Sequence, residues 1–338
     1  MKKKLVSVLF AFTVAYSLVA CGSSGSNGAG NAASAEGKIY ELKVSTTQTR
    51  TSMIYEGLQA AADKVAEDTN GKVKITIYDS SSLGAEEDMI DQALQGMGIA
   101  VLTDAGRMAN YVSDMGIMNM AYFVNNYEDG CKVMDTETFK TWDEQLAQAG
   151  LRALCYNYYD GARSFMSTKA FSTPADLNGV VCRTPGADPY VKSVEAMGAT
   201  AYNISWSEVY NSLQTKAIDA CEVQYTSAVS SKIYEVCNVV SKTEHINLFN
   251  FVVCGEQWYE QLPAEYQKIL KDDFFDCAYT NAQDIISAQD NLEKTFVDNG
   301  ATIAEVDLDA FKSAADKAYE ELGWTELRQK LYEEAGIN

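Results

Sequence analysis

Between Tyr40 and Asp104 the apolar residues switch repeatedly between two periods, and that succession restricts the fold more than any single motif does. ELKVSTT (Glu41 to Thr47) reads as a strand, and SMIYEGLQAAADKVAEDTNG then repeats apolar residues at helical spacing until Asn70-Gly71 stops it. KVKITIY (Lys72 to Tyr78) alternates strictly, so one of its faces is covered. A Ser-rich loop leads to AEEDMIDQALQGMG, whose acidic first turn suits a helix N-terminus, and IAVLTD (Ile99 to Asp104) is a short buried strand. Strands alternating with helices predict a parallel α/β sheet, with the loops at strand C-terminal ends available to a ligand.

A second α/β unit is expected after the helix ETFKTWDEQLAQAG, with LRALCYNYY (Leu151 to Tyr159) long enough to leave one domain and enter another. ARSFMSTKAF, VVCRTPG, TAYNIS and DACEVQ are further strand candidates, separated by the helices DPYVKSVEAMG and SWSEVYNSLQTKAI. HINLFNFVVCGEQW returns the chain to the first unit. The expectation is one lobe over 38–155, completed by parts of 251–338, and a second lobe over 156–250. A single helix over 263–300, roughly 55 Å long at 1.5 Å per residue, braces both.

Formal charge is −20, and the chain grows more acidic by three when Lys2, Lys3 and Lys4 are removed with the leader. That balance argues against nucleic acid, whose binding rests on Lys and Arg neutralising phosphates. MKKK followed by LVSVLFAFTVAYS reads as a signal peptide over 1–20, and Leu18 to Cys21 (LVAC) resembles a bacterial lipobox in which Cys21 becomes the lipidated first residue. Residues 21–37 are Gly/Ser/Asn/Ala-rich, a flexible tether spanning roughly 20–25 Å. The expected location is the extracytoplasmic face of the cell membrane, held by the lipid alone, since no later apolar run approaches the ~20 residues of a spanning helix. Seven cysteines follow Cys21, an odd number without CxxC spacing and mostly within apolar stretches, so they are read as free thiols.

No set of residues activates a nucleophile or holds a metal. The one histidine, His245, lacks a serine elbow or a zinc-type partner and reads as a bland strand-end residue. Gly96 and Gly98 end a helix instead of linking strand to helix, so they are a C-cap and not a dinucleotide loop. VDLDAF (Val306 to Phe311) resembles metal spacing, but an aspartate before a helical run is usually an N-cap, and Glu86-Glu87 reads as a solvated helix start. No catalytic residue, metal or cofactor is expected.

Two arginines twenty residues apart stand out, Arg163 in YYDGARSFMSTKAF and Arg183 in LNGVVCRTPG. Burying a guanidinium without a partner costs several kcal/mol, so each is either paired internally or meant for an anion. Its planar fork matches a carboxylate in two-point contact. Local reading leaves the salt bridge and the ligand equally open.

The span R-x-F-x-S-x-K-x-x-x-x-P-x-D-L-x-G-x-x-x-R, from Arg163 to Arg183, closely resembles the solute-binding proteins of TRAP transporters, of the C4-dicarboxylate-binding type. The resemblance continues through SWSEVYNSLQTKAIDACEVQYTSAVSSKIYEV (Ser205 to Val236) and, upstream, through Ser80 to Val112. It implies a two-domain clamshell joined by crossing strands and a long helix, closing on an organic anion that is delivered to a TRAP-type membrane permease. It also implies that Arg183 makes the principal contact with the ligand carboxylate, that Arg163 supports it, and that Trp206 lines the pocket. Two departures bear on the ligand. The family's Q-E-N-P is here Cys221-Glu222-Val223-Gln224, so Val223 replaces an asparagine and Gln224 or Tyr225 is left to compensate. Asp188 adds a carboxylate near the anion site, where it orients Arg183, meets an amine or, most simply, caps the following helix. Aromatic, keto, sugar and amino acids stay open beside dicarboxylates. A receptor's binding subunit and a lipoprotein enzyme acting on a small anion are the rival readings.

Overall fold

Two strands of 17 residues run antiparallel through the middle of a nine-stranded sheet and set its architecture. The computed structural model describes residues 37–337. The leader, Cys21 and all but the last residue of the expected tether lie outside the described residues. On one side of the sheet β1 (Tyr40–Ser45), β2 (Val73–Tyr78) and β3 (Ile99–Asp104) are mutually parallel. On the other side β5 (Val181–Thr184) lies parallel to β6 (Thr200–Asn203) and to β7 (Ala220–Gln224). The long strands β4 (Leu151–Ser167) and β8 (Val239–Gly255) join them, β8 pairing antiparallel with β3 and β4 with β7. The order is β2-β1-β3-β8-β4-β7-β5-β6, and a short β9 (Thr302–Ala304) adds to the start of β8.

The expected strands LRALCYNYY and ARSFMSTKAF are therefore one strand, broken in register by bulges between Ala153 and Cys155, Cys155 and Tyr158, Tyr159 and Gly161, and Arg163 and Phe165. Bulges bend a strand without ending it, which is why periodicity alone split β4 in two. Gly161 sits at one of them with φ +93°, a conformation that suits glycine. β8 likewise begins before the expected segment, so His245 lies inside the strand and fully buried, not at a strand end. The expected lobe boundaries at 155/156 and 250/251 both fall within these continuous strands.

Helices cover both faces: α1 (Met53–Asp68), α2 (Glu86–Leu94), α3 (Ala105–Met108), α4 (Tyr127–Met134), α5 (Glu137–Gln148), α6 (Asp188–Ala196), α7 (Trp206–Gln214), α8 (Tyr225–Ser230), α9 (Glu256–Tyr259), α10 (Ala264–Asp298), α11 (Leu308–Leu322) and α12 (Thr325–Ala335). Ser52, Thr136 and Asp307 cap α1, α5 and α11, each accepting from a backbone N–H three residues on. Asn70 and Gly71, at positive φ, terminate α1 as the sequence predicts, and Gly96 does the same after α2. All six β3 residues are buried, whereas β2, at the sheet edge, alternates.

Helix α10 has 35 residues, about 52 Å of helix. Leu270, Phe274, Ala278 and Ile285 join the apolar layer under α1, while Phe296 joins the layer under α7 and α8. It thus contributes side chains to apolar layers at both ends of the sheet.

Candidate anion-binding cleft

The loops that follow the C-terminal ends of the parallel strands converge on a cavity of about 540 Å³. Gln48 follows β1, Ser81 follows β2, Asp104 ends β3, Pro185 follows β5, Asn203 ends β6 and Gln224 ends β7, and all six line it. This is where an open parallel sheet leaves a crevice and free backbone ends.

Arg163, Arg183, Trp206, Val223 and Gln224 all line this cavity, but in unequal roles. Arg163 faces Gln224 across the β4–β7 ladder, with Glu222 two residues along on the same face of the pleat. Arg163 Nε donates to Glu222 Oε2, Nη2 donates to Glu222 Oε1 (2.7 Å) and to its carbonyl oxygen (2.6 Å), and Nη1 donates to Gln224 Oε1 (3.2 Å). The Tyr190 ring lies beneath, 5.2 Å from the guanidinium carbon. Burial pushes the Glu222 carboxyl up, but Arg163 and the neighbouring His245 outweigh it and hold it below the usual value. His245 Nε2 stands 3.6 Å from Glu222 Oε2, and burial lowers the imidazole's affinity for a proton. Arg163 is thus the internally paired arginine, and the pairing residue, Glu222, is one that sequence reading passed over.

Arg183 has no such partner. Its Nε donates to the Ile204 carbonyl at 3.0 Å, and neither Nη group meets a protein acceptor among the described residues. No carboxylate lies within ion-pairing distance of it among them, although the residue is only 3% exposed. Burial, with Arg163 nearby, lowers its pKa to about 10, which still leaves it charged at neutral pH. The Trp206 ring, at the start of α7, lies 5.5 Å from its guanidinium carbon. A buried, charged fork with open donors against an aromatic face is built to receive a planar anion.

Three expectations need correcting. Val223 borders the cavity, yet its side chain packs with Val209, Leu213 and Ala228, because strand alternation turns it away from the face that carries Glu222 and Gln224. Tyr225 begins α8 and donates to Glu293 Oε2 at 3.1 Å, lining a different cavity beside α10, so it does not compensate for Val223. Asp188 is exposed in the first turn of α6, outside the cavity; Ala187 is the cap position, and Asp188 neither caps the helix nor reaches Arg183.

Further charged residues of the cavity lining are not legible in the sequence as site residues. Arg107 in α3 donates to Asp104 Oδ2 (2.8 Å) and Glu87 Oε1 (2.9 Å), and Glu86 Oε1 lies 3.4 Å from its Nε. Far from being a solvated helix start, Glu86 has a side chain only 10% exposed, and burial raises its pKa to about 7 against the opposing pull of Arg107. Asp160 in β4, fully buried, accepts from Gln48 Nε2 (3.0 Å), Gln224 Nε2 and Thr226 Oγ1. Burial raises it to about 6 while Thr226, Gln224, Arg163 and Asn250 oppose the rise. Gln48 also donates to Ser227 Oγ at 3.1 Å, so the loop after β1 touches both β4 and α8. The sequence signal for these residues was an acid within or at the end of a largely apolar strand, in LTDAGR and YYDGAR.

The cysteines Cys155, Cys182, Cys221, Cys237 and Cys254 are buried as free thiols, and Cys131 and Cys277 are partly covered.

The family described as bacterial extracellular solute-binding protein, family 7, matches residues 44–324. A solute-binding protein of Chromohalobacter salexigens is 29% identical over 268 residues, 79% of this chain and 80% of the relative. Among solved structures, a TRAP periplasmic solute-binding protein from Actinobacillus succinogenes with bound L-galactonate is 26% identical with a TM-score of 0.83, covering 87% of this chain and 99% of that one. Another, from Ochrobacterium anthropi with bound L-fuconate, is 26% identical with a TM-score of 0.85, covering 88% and 99%. The mixed sheet with helices on both faces is the two-domain clamshell of these proteins.

Proposed function

Because the chain belongs to the bacterial extracellular solute-binding proteins of family 7, we propose that it captures a small organic acid outside the cytoplasmic membrane and delivers it to a TRAP-type membrane permease. The observation that carries the reading is Arg183: buried, charged, braced by Ile204 and Trp206, and without a carboxylate partner among the described residues, in a cavity of about 540 Å³. A ligand carboxylate supplies the missing partner in two-point contact. Charge-assisted bonds of this kind contribute ~1.5–3 kcal/mol each, so two of them and contact with Trp206 fit the ~8 kcal/mol of micromolar binding.

Capture is coupled to closure. The cavity wall joins residues after β1, β2 and β3 to residues after β5, β6 and β7, so a ligand held by both sets stabilises their approach and shifts the population toward the closed form. We assign the lobes to 38–155 and 156–250, bending at β4 and β8, with residues from 251–338 completing the first and α10 bracing both. Anchoring by a lipid on Cys21, with residues 22–37 as the tether, keeps the clamshell beside its permease. The family is one of binding proteins, and no catalytic role is assigned to any cleft residue.

The relatives with L-galactonate and L-fuconate bound favour sugar acids among the candidates. The test is a thermal-shift screen of aldonic, uronic, keto, amino, aromatic and dicarboxylic acids, followed by mass spectrometry of the bound molecule. Stabilisation by an acid recovered unchanged supports capture for transport; a chemically altered acid contradicts it.

A further inference from the structure

The charges along the cleft leave its two ends with opposite requirements. Arg163 is taken by Glu222, and among the described residues Arg183 is the cavity-lining arginine with no carboxylate partner, so the cleft offers an unshared guanidinium to one carboxylate. Elsewhere on the cavity lining Arg107 is divided among Asp104, Glu87 and Glu86. Glu86 differs from the other two. Its side chain is 10% exposed, it lines the cavity, and its Oε1, 3.4 Å from Arg107 Nε and beside the Thr103 hydroxyl, completes no hydrogen bond with either. The amide nitrogen of Asn250, another buried group on the cavity lining, lies beside the Asp160 carboxylate. Enclosed polar atoms are satisfied in nearly all native sites, by protein, water or ligand.

Resting on the organic-acid reading above, we propose that Glu86 is the cleft's specificity-determining residue, accepting a hydrogen bond from a hydroxyl at the far end of a monocarboxylate and excluding a second carboxylate from that end. A diacid gripped by Arg183 brings its other anion against three carboxylates that share one guanidinium. A hydroxyl donates to Glu86 and can also accept from the neighbouring Arg107 guanidinium, whereas an ammonium only donates. The charged groups facing Glu86 are Glu87 from its own helix, Asp104 from β3 and Arg107 from α3. Because its carboxyl titrates near pH 7, the exclusion weakens as acidification removes its charge.

Calorimetric titration with two pairs of six-carbon acids tests this: L-galactonate against galactarate and D-gluconate against D-glucarate, each pair differing in a terminal hydroxymethyl or carboxylate. The wild type is expected to prefer the better-bound aldonate over its aldarate at least about tenfold at pH 8, a difference of about 1.4 kcal/mol. The preference should shrink at pH 6, and Glu86→Gln should reduce it to about threefold or less at both pH values, in keeping with a loss of roughly half the discrimination energy. Equal or tighter binding of the aldarate by the wild type overturns the proposal without need of a variant. So does an unchanged ratio in Glu86→Gln; if Arg183→Ala then abolishes binding of both acids, the organic-acid reading survives while the role of Glu86 does not. Failure of all four acids to bind overturns the assignment of a hydroxylated ligand, and the acid screen separately decides whether another acid is captured.

Discussion

Glu222 holds Arg163 through both carboxylate oxygens and its own carbonyl, and that internal pairing leaves Arg183, on the neighbouring part of the sheet, as the arginine for the ligand. Both members of the pair are at least nine-tenths buried. Removing one partner strands the other charge in a dry site, which costs about 3–5 kcal/mol, whereas replacing both by apolar groups is often neutral. Arg163→Met is therefore expected to lose about 3–5 kcal/mol in urea denaturation, and Arg163→Met/Glu222→Met to recover most of it. Equal stability of the single variant and the wild type would show that the pair is not a structural unit.

Stability without ligand should pass through a maximum on the acid side of neutrality. Glu86 and Asp160 have folded pKa values raised by burial to about 7 and about 6, so the stability linked to their protonation is full below their ordinary values and is lost as pH rises through 6 to 7. Glu222 is depressed, so its contribution is present above its ordinary value and is lost as pH falls through its lower folded value. Differential scanning calorimetry should give a higher melting temperature at pH 5.5 than at pH 8, by about 2–4 °C per kcal/mol released, and Glu86→Gln should flatten that slope. A melting temperature that climbs from pH 5.5 to pH 8 contradicts the burial argument.

Trp206 is the one tryptophan that lines the cleft, since Trp142, Trp258 and Trp324 are buried elsewhere in the helical layers. Its ring beside Arg183 contributes a cation–π contact of about 0.5–2 kcal/mol and covers one side of the bound carboxylate. Trp206→Ala should weaken acid binding about 3- to 30-fold. Saturating acid should change the intrinsic fluorescence of the wild type and leave that of the variant unaltered. A spectral change that survives the substitution places the ligand elsewhere.

Gly255 closes β8 against α2, and a Cβ there would stand 1.9 Å from the Ala93 carbonyl oxygen. Backbone must shift to admit it, so Gly255→Ala is expected to cost about 1–3 kcal/mol or more in thermal or urea denaturation. An unchanged midpoint would show that the β8–α2 contact yields freely.

Much of the fold was legible because period, caps and breakers agree. The β1-α1-β2-α2-β3 succession, the stop at Asn70-Gly71 and the bracing length of α10 all follow from side-chain spacing. β4 was legible only in pieces, since its bulges change which residues share a face, and bulges carry no fixed sequence signature. In the cleft, Arg183 and Trp206 were placed by the matched spacing to the TRAP binding proteins. Glu222 stayed hidden because its partner, 59 residues earlier, is brought opposite it only by the β4–β7 register. Glu86 reads as an ordinary acidic first turn until Arg107, reached through a turn of chain after β3, folds over it. Asp188 and Tyr225 show the reverse: one to four residues past a site strand, a side chain has already left the site.

Calorimetric titration of Arg183→Ala with the acid that the wild type binds most tightly tests the central claim most directly. Loss of two charge-assisted bonds predicts affinity lowered by at least about 100-fold, with the unliganded melting temperature unchanged or raised because an unpaired buried charge has gone. Affinity within about threefold of the wild type in a folded Arg183→Ala protein would contradict the assignment of Arg183 as the carboxylate site.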